Sequence, residues 1–137
     1  MGKILAIDHG TKRIGLAITD QLRIIASGLD TIPAAEIEHV LDGLFQKEEI
    51  DQVVVGLPLR LNAQDSDTTR RVREFVKYLQ KRYPEMEVVT YDERFTSKIA
   101  QQTMIMAGAK KKQRREKGKL DIISATVLLQ DYLAFIS

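Results

Sequence analysis

The chain has no cysteine among its 137 residues. Structural disulfides, thiolate metal sites and cysteine nucleophiles are therefore excluded, and the absence fits a reducing compartment. No apolar run approaches the roughly 20 residues that cross a bilayer. Met1 to Asp8 places a charge after four apolar residues, too soon for the apolar region of a signal peptide. Ala6 stands where a myristoylation motif needs Ser or Thr. These absences point to a cytoplasmic protein with no membrane association. The three prolines, Pro33, Pro58 and Pro84, fall between periodic segments. Internal repeats and Gly/Ser-rich linkers are also missing. Excess charge of one sign is small: 21 basic against 19 acidic side chains leave a net charge of +2, weak evidence by itself for a polyanionic partner.

What is present is ordinary in bulk and informative in pattern. An apolar fraction of 44% and a charged fraction of 29% are those of a soluble globular protein, and the length suits a single domain over residues 1–137. Basic charge is concentrated locally. Residues 110–119 hold seven cations and one anion, and such a segment binds phosphate backbones even when the whole domain is near neutral.

Lys3 to Asp8 alternates with Ile4, Ala6 and Asp8 on one face and Leu5 and Ile7 on the other, which reads as a central strand. His9-Gly10-Thr11-Lys12 reads as a turn, Arg13–Thr19 as a second strand and Arg23–Leu29 as a third, joined by antiparallel hairpins. The period then changes. Ile37, Val40, Leu41, Leu44 and Phe45 predict a helix from about Ala34 to Glu48. Gln52–Gly56 is a short apolar strand of the kind that lies in a parallel sheet. Val72, Phe75, Val76 and Leu79 predict a helix over about Ser66–Arg82, and Glu87–Tyr91 another buried strand. A helix is expected from Thr96 to about Ala107, and a last one over about Leu120–Ala134. The order β-β-β-α-β-α-β-α-α predicts an α/β fold. Its mixed five-stranded sheet has three antiparallel strands and then two parallel ones added by right-handed crossovers, with helices on both faces.

Acids stand at the places where such a sheet collects ligands, the carboxyl ends of its strands. Asp8 ends the first strand on the face of Ile4 and Ala6; the plain structural reading is an aspartate capping the following turn. Asp92 and Glu93 both follow the strand Glu87–Tyr91 and are alternatives for the same role, against a surface carboxylate paired with Arg94 or Arg71. Asp121 begins the last helix, where a carboxylate also complements the helix dipole. Small neighbours at Ser124 and Ala125 would let that end of the helix approach a strand. Carboxylates that converge repel unless a cation sits among them. Oxygen ligands without cysteine suit Mg2+ or Mn2+, and two such ions can activate water and stabilise the leaving oxygen of a phosphodiester. Lys12 and Arg13 at the first hairpin are candidate phosphate contacts, as are Lys110, Lys111, Lys112, Arg114 and Arg115 of the basic segment. His9 reads as a turn residue. Gly56 permits a close backbone approach, but a single glycine there makes no Walker-type phosphate loop.

Four motifs follow one another over nearly the whole chain: Asp8-His9-Gly10-Thr11-Lys12-Arg13-Ile14-Gly15-Leu16-Ala17, Val55-Gly56-Leu57-Pro58, Asp92-Glu93-Arg94-Phe95-Thr96-Ser97, and Leu120-Asp121-Ile122-Ile123-Ser124-Ala125. In this order they resemble the YqgF family, also called RuvX, which is similar to Holliday junction resolvases and is associated with maturing the 5′ end of 16S ribosomal RNA. The resemblance implies an RNase H-like fold and a catalytic, metal-binding triad of Asp8, Glu93 and Asp121, selecting Glu93 over Asp92. It implies supporting or substrate-binding roles for Arg13, Arg94 and Thr96. Its implied partner is nucleic acid, precursor ribosomal RNA ahead of a DNA junction, with the protein acting as a monomer or a weak homodimer in association with ribosomal precursors. The sequence departs from the family where the loop Leu59–Asp65 has no glycine, and where Ser124 and Ser97 replace Ala and Thr.

Two other readings use the same residues. Asp8 to Thr11 also resembles the phosphate-binding hairpin of sugar-kinase and actin-type phosphotransferases, which clamp ATP between two such domains where this chain supplies one; micromolar ATP binding would favour that class. A non-catalytic RNA-binding protein of ribosome assembly would use the basic segment alone, and its RNA binding would survive loss of Asp8 without any metal-dependent cleavage.

Overall fold

A computed structural model describes residues 2–10, 12–58, 66–93 and 117–137, the last range with side chains from Ile122 onward. Its elements are β1 (Lys3–His9), β2 (Arg13–Thr19), β3 (Ala26–Pro33), a 3-10 turn (Ala34–Glu36), α1 (Ile37–Lys47), β4 (Ile50–Leu57), α2 (Asp67–Arg82), β5 (Glu87–Asp92) and a last helix, here α3 (Lys117–Ile136). The helix expected over Thr96–Ala107 lies outside the described residues.

The five strands form one sheet in the order β3-β2-β1-β4-β5. β1, the most evenly apolar strand, is central. It pairs antiparallel with β2 and parallel with β4, and β4 pairs parallel with β5. The predicted mixed sheet is therefore the observed one. Alternation along the strands divides the core in two. Leu5, Ile7, Ile14, Leu16, Val53 and Val55 face α1 and α2, where Leu41, Val72, Phe75 and Leu79 are buried. Ile4, Ala6, Ala17, Val54 and Tyr91 face α3, where Ala125, Leu128, Leu129 and Tyr132 close the other layer. Each fully buried Leu, Ile or Val contributes about 1.5–3 kcal/mol through removal from water.

The three largest departures from the expected boundaries are at the third strand, the first helix and the last helix. The third strand, expected at Arg23–Leu29, runs from Ala26 to Pro33. Residues before it are held in a turn: the Asp20 carboxylate accepts hydrogen bonds from the Ile24 and Ile25 amides at 2.8 and 2.9 Å. Arg23 has a φ of 57°, and its guanidinium donates to the Gly2 carbonyl at 2.8 Å and pairs with Asp51. Leu22, Ile24 and Ile25 look like strand residues in the sequence but stand exposed on this turn. The strand can continue to a proline because it lies at the sheet edge. The helix expected from Ala34 opens as the 3-10 turn, with α1 beginning at Ile37. The last helix starts three residues before the expected Leu120.

Two anchors fix the helices to the sheet. Ser66 caps α2, its hydroxyl accepting from the Thr69 amide while the Thr69 hydroxyl accepts from the Ser66 amide, both at 3.1 Å. The same Thr69 hydroxyl donates to the Pro58 carbonyl, tying the start of α2 to the exit of β4. On the other face α3 comes close to β3. A Cβ at Gly28 would lie 2.4 Å from the Ile122 Cγ2 methyl.

Candidate active site

Asp8 and Glu93 reach the same face of the sheet by strand parity. Asp8 continues the series Ile4, Ala6 on β1, and Glu93 continues Val89, Tyr91 just past the end of β5. Because β1, β4 and β5 are parallel to one another, all three end at one edge. The strand between the two acids presents Gly56, which pairs with Tyr91 and stands one residue past the Ile7–Val55 pair. A Cβ at position 56 would fall 2.6 Å from Glu93 Oε1, 3.3 Å from Glu93 Cγ and 3.2 Å from Leu128 Cδ2. The Glu93 side chain thus lies across β4 at the one position without a side chain and hydrogen-bonds Asp8. On the other side of Asp8, its cross-strand partner on β2 is Gly15, again without a side chain.

The contact is electrostatically expensive. Burial, the Asp8 charge, the hydrogen bond with Asp8 and the charge of Asp92 together push the Glu93 carboxyl up to about 7. Two carboxyls that touch in a half-buried site share a proton or hold a cation. An all-oxygen donor set of this kind matches Mg2+ or Mn2+. Among the described residues no cluster of three or more His, Asp or Glu is placed to hold a metal ion. The described site is a pair.

The other sequence candidates divide as follows. Arg13 begins β2 on the face shared with Gly15 and Ala17, which is the Asp8 face, and is partly buried. Lys12 is exposed at the hairpin, whose turn is closed by the Gly10 amide donating to the Arg13 carbonyl at 2.9 Å. A side chain at Gly10 would meet that carbonyl at 2.4 Å. Asp121 is in the backbone of α3, four residues before the buried Ala125, and its side chain lies outside the described residues. Since α3 starts at Lys117, Asp121 is its fifth residue rather than part of the first turn, which weakens the helix-dipole explanation of an acid there. Arg94, Thr96, Lys110, Lys111, Lys112, Arg114 and Arg115 lie outside the described residues.

Asp92 and His9 separate from the site by alternation. Asp92 follows Val88 and Thr90 on the α2 side of β5, so Glu93 is the acid that meets Asp8. His9 is the last residue of β1 rather than a turn residue. Its ring lies 4.4 Å from that of Phe75, tilted by 41°, on the opposite face from Asp8. Burial, with Arg71 nearby, lowers its pKa and keeps the imidazole neutral at neutral pH. The residue whose role the sequence concealed is Gly56. Its position was visible, but the side chain that passes over it was not.

Comparison with known proteins identifies the family and the fold. A family model described as "RuvX: Holliday junction resolvase" matches residues 2–134. A protein of Flavobacterium johnsoniae is 48% identical over 134 residues, covering 98% of this chain and 97% of its own. One of Bacteroides thetaiotaomicron is 45% identical, covering 97% and 96%. Both carry the name "Putative pre-16S rRNA nuclease". Among solved structures, Fowlpox virus resolvase bound to Holliday junction DNA aligns with a TM-score of 0.62 at 12% identity, over 98% of each chain. Thermus thermophilus RuvC bound to a Holliday junction substrate aligns with a TM-score of 0.56 at 14% identity, over 98% and 96%. The fold is therefore the RNase H-like fold of these resolvases, and the chain belongs to the RuvX family.

Proposed function

We propose that this chain, a single RNase H-like domain, is a metal-dependent nuclease that hydrolyses phosphodiester bonds at the Asp8–Glu93 edge of its sheet. Its substrate in this reading is the 5′ end of precursor 16S ribosomal RNA, met in the cytoplasm. The observation that carries the reading is the carboxyl–carboxyl contact seated over Gly56. Such a contact has no packing purpose, and it gives a hard cation a ready set of oxygens. The names of relatives 45–48% identical over nearly the whole chain support the substrate class.

Asp8, Glu93 and Asp121 are the residues that would hold one or two Mg2+ or Mn2+ ions. When bound, the metal supplies Lewis-acid charge that lowers the pKa of a water and offsets charge on the phosphate. The protein does the rest. Val54, Tyr91 and Leu128 pack beneath the acids and keep the site poorly solvated, which strengthens every charge interaction in it. With the metal bound, Asp8 and Glu93 would both be ionised ligands, because a divalent cation between them would offset the burial and mutual repulsion that raise the Glu93 carboxyl. Gly56 leaves the room that the Glu93 side chain occupies, and Gly15 sets no side chain beside Asp8. Arg13 and Lys12 stand at the adjacent hairpin, where a phosphate on the strand would meet them.

Labelled RNA spanning the 5′ end of precursor 16S ribosomal RNA, incubated with Mg2+ or Mn2+, tests this reading, with a four-way DNA junction run in parallel. Wild type is expected to cleave the RNA, and Asp8→Asn to lose about 10²-fold or more, the usual effect of removing one group that stabilises charge in the transition state. Cleavage of the junction alone would move the function to recombination. Cleavage of neither, by folded protein, would contradict the nuclease reading.

A further inference from the structure

We propose that the solvent face of α2 and the edge of β5 beside it form a track for the phosphate backbone of the nucleic acid that enters the Asp8–Glu93 site. The proposal rests on the nuclease reading for the identity of the strand and on a separate set of residues for the track.

α2 carries six cations, Arg70, Arg71, Arg73, Lys77, Lys81 and Arg82, against two acids, Asp67 and Glu74. Four of the cations fall at 70, 73, 77 and 81. Spacings of three, four and four place them in one stripe. All four are exposed, opposite the buried Thr69, Val72, Phe75, Val76 and Leu79. The other two cations of α2, Arg71 and Arg82, lie off this stripe. Arg82 is held on the α1 side by Glu38 at 3.0 Å and Asp42 at 2.7 Å. Within the stripe Arg70 makes an exposed pair with Asp67 at 2.9 Å, and Glu74, four residues after Arg70 and three before Lys77, is the one acid among its cations. Among the described residues no ion pair joins Lys77 or Lys81 to an acid. Like charges a turn apart repel, so Lys77 and Lys81 gain nothing from one another and suit a ligand of opposite sign.

Beside the stripe lies a shallow recess of about 200 Å³, lined by Arg73, Val76, Lys77, Gln80 and Thr90. Two cations, an amide and a hydroxyl on a small apolar floor are the groups that contact phosphate and sugar oxygens. Glu87 stands at the far end of β5, where it accepts from Gln52 Nε2 at 3.0 Å. The location relative to the site is what selects the ligand. Thr90 is three residues before Glu93, about 10 Å along the strand and on its other face, so a nucleic-acid chain leaving the recess would reach the acids over the carboxyl edge of the sheet. The stripe from Arg70 to Lys81 extends about 16 Å along the helix. Its Arg70 end is the end of α2 tied to the exit of β4, at the edge where the two acids meet. A line of cations that starts at a phosphodiester-cleaving edge fits a linear polyanion. A membrane surface fits less well, because none of the exposed large apolar residues, Leu22, Ile24, Ile25, Leu29, Phe135 and Ile136, is on α2.

The test is a salt titration of binding, followed by fluorescence anisotropy of a labelled single-stranded RNA on full-length protein carrying Asp8→Asn to prevent cleavage. On that background Lys77→Gln and Lys81→Gln are combined, and Lys47→Gln on α1 serves as a charge-matched control for the single Lys77→Gln. The combined variant is expected to flatten the slope of log K against log[salt] by about 1.4, at roughly 0.7 per phosphate contact on a single strand. Lys77→Gln should flatten it by about 0.7 and Lys47→Gln leave it unchanged, all with the circular dichroism spectrum of the parent. An unchanged slope in the combined variant overturns the track. So does an equal effect of Lys47→Gln, which would reduce the stripe to net charge, and so does binding to anionic phosphatidylserine vesicles with none to RNA. A flattened slope alongside a wild type that cleaves nothing supports the track and removes the nuclease reading. Intact cleavage with an unchanged slope does the reverse.

Discussion

At the scale of single residues, the site depends on a side chain that is absent. Gly56→Ala would put a methyl group 2.6 Å from Glu93 Oε1, and the mobile carboxylate end would move rather than the strand. The expected result is a protein that melts within a few degrees of wild type but cleaves about 10²-fold more slowly, since a displacement of about 1 Å at a reacting group costs that much. Unchanged cleavage would mean the carboxyl is not needed where it lies. Glu93 also makes a pH prediction for the metal-free protein. Its carboxyl titrates near 4.5 when unfolded and near 7 when folded. The stabilisation of the protonated form is fully present below about 4.5 and is lost as pH rises through about 7. Thermal melts in a chelator should therefore show stability falling across that window, with this part of the fall missing in Glu93→Gln. The acids themselves were legible in the sequence because a charge ending an apolar strand is conspicuous. The resemblance selects Glu93 over Asp92, and the strand's parity accounts for that choice; the role of Gly56 needed the neighbouring strand, which a local pattern does not contain.

At the scale of elements, the junction of β4 and α2 hangs on Thr69. It is fully buried, and its hydroxyl serves both the Ser66 amide and the Pro58 carbonyl. Thr69→Val keeps the shape and leaves both groups without that partner, so the expected cost is about 1–3 kcal/mol, read as a lower melting temperature. The start of α2 could be placed from Ser66, but the reciprocal cap could not. The usual signature has Glu or Gln at the third helical position, and here Thr does the work. β3 was misplaced for a related reason. Ile24 and Ile25 carry the right apolar signal, yet the Asp20 carboxylate bonds both their amides and ends any ladder there. Side chains that compete for backbone amides outweigh apolar patterning at such a turn.

At the scale of the molecule, order of elements was enough to give the sheet. Short connections made the first three strands antiparallel, and long helical crossovers made the next two parallel. That topology alone brings the ends of β1 and β5 to one edge, so the meeting of Asp8 with Glu93 was implicit in the sequence once the fold was known. In the sequence the cations of α2 read only as the wet face of an amphipathic helix; the recess beside β5 gives them a direction. The Lys110–Lys112 segment makes an independent prediction about the whole binding surface. Neutralising Lys110, Lys111 and Lys112 together should flatten the salt dependence of RNA binding by about 2; an unchanged dependence would remove that segment from the surface.

The central claim is that Glu93 and Asp8 act together on a phosphodiester. Its most direct test is the single-turnover rate of Mg2+-dependent cleavage of the 5′-spanning RNA by wild type and by Glu93→Gln, each shown to be folded by circular dichroism. The account predicts that wild type cleaves and that Glu93→Gln, which keeps the shape but not the charge, is slower by about 10²-fold or more. Cleavage by Glu93→Gln at the wild-type rate would contradict it.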